Sequence, residues 1–197
     1  MTQPPILVMG IGNPLMRDEG IGPRVVEVLK STYDFGPRVE VVDAGTMGLM
    51  ILDLLAGREQ LIVVDAVRGT GHEPGTIVFF DPKDLADSQV MHSLHDMRLV
   101  DVLQNAALLD RMPAATVIGI QIEAIEQWVL ELSPKVEAAI PAACAAVLSE
   151  LSSLGVEPTH RLDLDADALI IEALRTYAPM PENSPASNSQ PGPEETA

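Results

Sequence analysis

Residues 6–9, Ile6-Leu7-Val8-Met9, form an unbroken apolar run stopped by Gly10. A run this short and apolar at every position fits a strand buried inside a parallel sheet. Further strands are read at 39–42, 61–64, 76–80 and 115–122, of which only 61–64 is equally unbroken. Between these runs the period lengthens. Ile21, Val25, Val28, Leu29 and Thr32 share one face of a predicted helix. Residues 47–55 read as a short helix stopped by Gly57. Ser93-Leu94-His95-Asp96 opens another, with a capping-box spacing and an apolar stripe at Met97, Val100, Leu103 and Ala107. Ser133-Pro134 starts a long helix with proline in its first turn, and Pro141 is expected to kink it. Strand and helix therefore alternate over the first 155 residues, the pattern of a layered α/β fold.

Two segments follow that pattern. Ala166, Leu169, Ile170, Ala173, Leu174 and Tyr177 fall at helical spacing. Residues 179–197 are rich in proline, serine, asparagine and glutamate and carry no basic residue. They are expected to be a disordered tail. The expected organisation is a domain over 1–160, an added helix over 161–178 and a tail over 179–197.

Composition narrows the function classes. A chain of 197 residues suits one domain. One cysteine excludes a disulfide framework and a zinc site built on cysteine pairs. Twenty-nine acidic against 12 basic residues give a net charge of -17, which repels phosphate backbones and makes nucleic acid an unexpected partner. No uninterrupted apolar run approaches the roughly 18 residues of a membrane span, and residues 1–5 lack the basic start of a secretory leader. The expectation is a cytoplasmic protein without a membrane partner, monomeric by default.

Gly10-Ile11-Gly12 after the first strand is a partial dinucleotide fingerprint. Leu15 stands where its third glycine belongs, and Asn13-Pro14 breaks direct entry into a helix. No P-loop and no nucleophile elbow occur. Cys144 lies on an apolar helix face and reads as a structural thiol. His72-Glu73 has no second histidine at zincin spacing.

Polar residues at strand ends remain, where open α/β sheets hold ligands. Asp18 and Glu19 follow the first strand, Asp43 ends the second and Asp65 ends the third. Either Asp18 or Glu19 could cap the next helix, and Asp43 could organise a turn with Gly45. Asp65 directly follows four apolar residues and needs a partner if desolvated. At a helix N-terminus His95 is disfavoured as imidazolium, which keeps a ring nitrogen available to a metal. His72, His92 and His160 read as loop or exposed residues. Glu19, Asp65 and His95 give two carboxylates and an imidazole, a ligand set suited to nickel, zinc or iron.

The stretch from Gly10-Ile11-Gly12-Asn13-Pro14 through Arg17-Asp18-Glu19-Gly20-Ile21-Gly22 closely resembles the opening motif of the nickel–iron hydrogenase maturation endopeptidases. The resemblance continues through Asp43-Ala44-Gly45-Thr46, the run ending in Asp65-Ala66-Val67, Ser93-Leu94-His95-Asp96 and Leu132-Ser133-Pro134. It covers roughly residues 5–155, in the family's order. It implies a three-layer sandwich, a twisted, mostly parallel sheet of about five strands with helices on both faces. It also implies an endopeptidase that removes a C-terminal extension from a hydrogenase large-subunit precursor after nickel insertion. Glu19, Asp65 and His95 match the family's metal-recognition and catalytic positions, and Asp43 matches an aspartate near them that contacts substrate. The nickel is then substrate-borne, and no permanent cofactor is expected. Metal polarisation of the scissile carbonyl and a carboxylate general base both stay open. Two alternatives are a non-catalytic nickel-binding checkpoint or chaperone and a nucleotide-dependent enzyme using the Gly10–Gly12 loop.

Overall fold

A computed structural model describes residues 3–80, 91–92, 99–108 and 112–164. The central sheet runs in the order β3 (Val39–Gly45), β1 (Ile6–Ile11), β4 (Gln60–Arg68), β7 (Ala114–Gln121), β5 (Ile77–Phe80). The first four strands are mutually parallel, and β5 closes the edge antiparallel to β7. A two-residue strand, β6 (Met91–His92), pairs antiparallel with the end of β4. Tyr33–Asp34 (β2) and Thr159–His160 (β8) form a separate ribbon.

Helices cover both faces, which is why the buried stretches Ile6–Met9 of β1 and Leu61–Val64 of β4 are apolar at every position. Ile6 and Val8 of β1 point to one face, packing with Val25, Val26 and Leu29 of α1 (Ile21–Thr32). Leu7, Met9 and Ile11 point to the other, with Ile51 and Leu55 of α2 (Ile51–Leu55) and Leu103 and Ala106 of α3 (Leu99–Leu108). The expected three-layer sandwich with a mostly parallel sheet is the observed architecture.

Glycine sets how closely the layers approach. A Cβ on Gly22 of α1 would lie 2.2 Å from the Ile11 carbonyl oxygen and 2.5 Å from that of Val64. A Cβ on Gly10 would lie 2.3 Å from the Gly22 oxygen. The start of α1 therefore rests on bare backbone across β1 and β4.

Several boundaries differ from the expectations. β4 does not end at Asp65 but continues to Arg68, because its β7 side stays paired as far as Val67↔Gln121. α1 buries Val26, whereas Val28 is half-buried. α3 buries Ala106 and exposes Ala107. His92 is in β6, opposite Val67, rather than in a loop. His160 is half-buried, edge-on to Tyr33 at 5.2 Å, and its Nδ1 accepts the Leu162 N–H at 3.2 Å.

Pro141 acts as expected. The long helix divides into α4 (Pro134–Glu137) and α5 (Ile140–Ser153), because proline has no N–H to offer the Glu137 carbonyl. As a single run, Pro134–Ser153 has the length and composition of a membrane-crossing helix. Its Val136, Ala143, Val147 and Leu151 instead face the sheet as core. The first compact unit runs from Met1 to Asp163. The expected added helix falls outside the described residues except for the turn Arg161–Leu164, and the expected tail lies wholly outside them.

Candidate active site at the carboxyl edge

The chain leaves β1 toward β3 on one side, then returns to place β4 on β1's other side. Connections diverge between β1 and β4, which opens a crevice at their carboxyl ends. The β1–β4 ladder stops at Gly10↔Val64, while β4 continues along β7. Asp65 is thus the first β4 residue beyond the reach of β1. It is 1% exposed, and its Oδ1 accepts the Ala66 N–H at 2.8 Å.

Glu19 reaches the crevice from a 3-10 turn, Arg17–Gly20, which packs against β4. It is fully buried. Gly12 makes this possible: at φ 138° it carries no Cβ, and one built there would lie 1.8 Å from the Glu19 carbonyl oxygen.

Asp18, one residue earlier, is also fully buried but points elsewhere. Its Oδ1 accepts the Ser133 N–H at 2.6 Å. Its Oδ2 accepts the N–H groups of Glu123 and Ala124 at 3.0 and 2.9 Å and the Ser133 hydroxyl at 2.5 Å. Neither Asp18 nor Glu19 caps α1, whose N-cap is Gly20 without a side-chain bond. Asp18 instead ties the loop after β7 to the loop after β1. Its partners lie more than 100 residues away, so no local spacing signals this role.

Asp43 sits on β3, separated from β4 by β1. Its Oδ1 accepts the Gly45 N–H at 2.9 Å, the turn-forming role anticipated for it. Gly45 in turn accepts the Gly12 N–H at 3.0 Å. Asp43 also lines a cavity of about 360 Å³ together with Pro14, Gly20, Pro23 and Leu130. The turn of Glu19 thus lies between Asp65 on one flank and the Asp43 cavity on the other. His95 lies outside the described residues. Among the described residues, no three of His, Cys, Asp and Glu converge to hold a metal.

Cys144 is buried, and its thiol meets the Val25 carbonyl at 4.0 Å. Burial pushes its pKa up, which suits a core thiol and not a nucleophile. Two positive-φ residues escaped sequence reading: Arg17 at 54°, paired with Glu126, and Trp128 at 66°. No sequence signal distinguishes them from ordinary loop residues.

Residues 23–150 match the model of a family described as hydrogenase maturation protease (HycI). The hydrogenase 2 maturation protease of Escherichia coli K12 is 36% identical over 160 residues, covering 79% of this chain and 96% of that protein. A hydrogenase expression/formation protein, HupD of Rhizobium leguminosarum, is 37% identical over 163 residues, covering 80% and 79%. Among solved structures, the hydrogenase maturating endopeptidase HybD of E. coli superposes with a TM-score of 0.72 at 36% identity, covering 80% of this chain and 98% of that one. HybD from Thermococcus kodakarensis gives 0.60 at 25% identity, covering 72% and 95%.

Proposed function

Because this chain belongs to the hydrogenase maturation protease family, we propose that it removes the C-terminal extension of a nickel–iron hydrogenase large-subunit precursor once nickel has been inserted. The observation that carries this reading is the pair Glu19 and Asp65, two buried carboxylates on adjoining segments of the β1–β4 crevice. Two carboxylates side by side at a strand-end crevice, with an imidazole, form a ligand set for a borderline divalent cation.

The nickel belongs to the substrate. A loaded precursor presents an ion with unfilled positions, and Glu19, Asp65 and His95 complete its coordination. β6 ends three residues before His95, and three residues of chain span no more than about 11 Å. A metal-free precursor lacks this docking element, so coordination chemistry becomes the test of completed insertion. Asp43, on the cavity wall beside the Glu19 turn, contacts the precursor chain.

Hydrolysis follows from the same three groups. The substrate's metal polarises the scissile carbonyl and takes up the charge that develops on its oxygen. Water adds to the carbonyl carbon, a carboxylate accepts its proton, and that proton passes to the leaving amine. A carboxylate held tightly as a ligand is a poor base, so of Glu19 and Asp65 the one that holds the metal less tightly takes the proton.

The test is the intact mass of a large-subunit precursor incubated with this protein, with and without prior nickel loading. A C-terminal fragment is expected to leave only the loaded sample. Glu19→Gln, Asp65→Asn and His95→Gln are each expected to stay folded and to lose activity by a factor of about 100 or more. Wild-type processing by all three variants would remove the site assignment. Binding without cleavage of any loaded precursor would leave a non-catalytic nickel checkpoint instead.

A further inference from the structure

Five of the eight exposed large apolar side chains among the described residues lie at one edge of the sheet. Leu15 follows β1, Leu49 and Met50 follow β3, and Trp128 and Leu130 follow β7. These strands are parallel, so all three loops leave from the carboxyl edge that carries Glu19 and Asp65. The loops are bonded side by side: Gly12 N–H donates to the Gly45 oxygen at 3.0 Å, and Trp128 N–H donates to the Leu15 oxygen at 2.7 Å.

Trp128 is the most unusual member. It is 81% exposed and stands at φ 66°, a left-handed conformation that is an outlier for a bulky residue. The conformation is enforced by the Leu15 bond, the Met16–Val129 bridge and the Arg17 N–H to the Val129 oxygen at 2.8 Å. Strain held by its surroundings at a site edge is a functional sign. Tryptophan and methionine are also the side chains that interface centres favour.

The polar surroundings are predominantly acidic, and the cations nearest the rim, Arg17 and Arg24, are each already paired with a glutamate, Glu126 and Glu27. Leu130 borders the cavity whose wall includes Asp43, Glu131 and Glu137. The whole chain carries -17.

We propose that the rim formed by Leu15, Leu49, Met50, Trp128 and Leu130 is the docking surface for the precursor's folded body, and that it receives an apolar patch flanked by lysine or arginine. This rests on the precursor-processing reading and adds where, and by what chemistry, the substrate is held apart from its metal.

The test has a binding arm and a cleavage arm. Nickel-loaded precursor immobilised through its N-terminus is titrated with wild type, Trp128→Gly, Leu130→Ser and the control Leu108→Ser. Leu108 is exposed at the end of α3, shortly before β7 begins at the opposite sheet edge. Cleavage is followed separately by intact mass. Trp128→Gly is expected to weaken binding at least tenfold while leaving the melting temperature unchanged or higher, since glycine tolerates positive φ. A merely structural tryptophan would lower it. Leu130→Ser should weaken binding, Leu108→Ser should not, and wild-type binding should loosen with added salt. Rim variants that bind as wild type does, while wild type still cuts, would overturn the docking surface and leave the protease reading intact. Rim-dependent binding by a wild type that never cuts would keep the docking surface and remove the protease reading. A wild type that does not bind at all overturns the docking surface.

Discussion

Asp18 and Glu19 are adjacent, equally buried and opposite in use. Four donors converge on Asp18, and in an amide half of that acceptor capacity becomes a donor facing donors. Asp18→Asn is expected to cost about 3 kcal/mol, read as a fall in melting temperature of roughly 6–12 °C. Glu19→Gln should cost activity instead, so a thermal melt beside a cleavage assay separates the two neighbours. Cys144 makes a separate prediction. Burial holds its thiol above the ordinary value of 9.0. An unfolded chain releases that proton first as the pH climbs, so this residue's contribution is complete below pH 9 and declines above it. Denaturant melts from pH 7 to 10 should show a shallower alkaline loss in Cys144→Ala than in wild type.

At the scale of elements, close contact between α1 and the strands beneath it decides the site. Gly22 sits on the carbonyls of Ile11 and Val64, one residue before Asp65. A methyl group there meets backbone that cannot rotate away. Gly22→Ala is expected to cost about 3 kcal/mol or more, at the upper end for overpacking, and to displace the Glu19 turn from β4. Chemical denaturation measures the first effect and cleavage the second. The elements were largely legible in the chain because apolar runs and helical stripes report burial directly. Their ends were less so. A carboxylate within an apolar run looks like a stop, yet β7 keeps β4 paired past Asp65. Likewise, helical phase alone does not decide between Ala106 and Ala107; the position of α2 does.

For the whole molecule, the same division holds. That polar residues at the ends of parallel strands share one edge is a rule of topology, which is why Glu19, Asp43 and Asp65 could be singled out before any coordinates. What the chain did not disclose is how the edge is assembled. That depends on contacts across more than 100 residues, such as Asp18 to Ser133 and Leu15 to Trp128. The loop after β7 lacks regular structure, yet the amides of Glu123, Ala124 and Ser133 end on a carboxylate that solvent does not reach. Their hydrogens are released only when that carboxylate's surroundings open. In deuterium-exchange measurements those three amides should therefore be retained as long as the strands' own, while the amides of Leu130 and Glu131 exchange early.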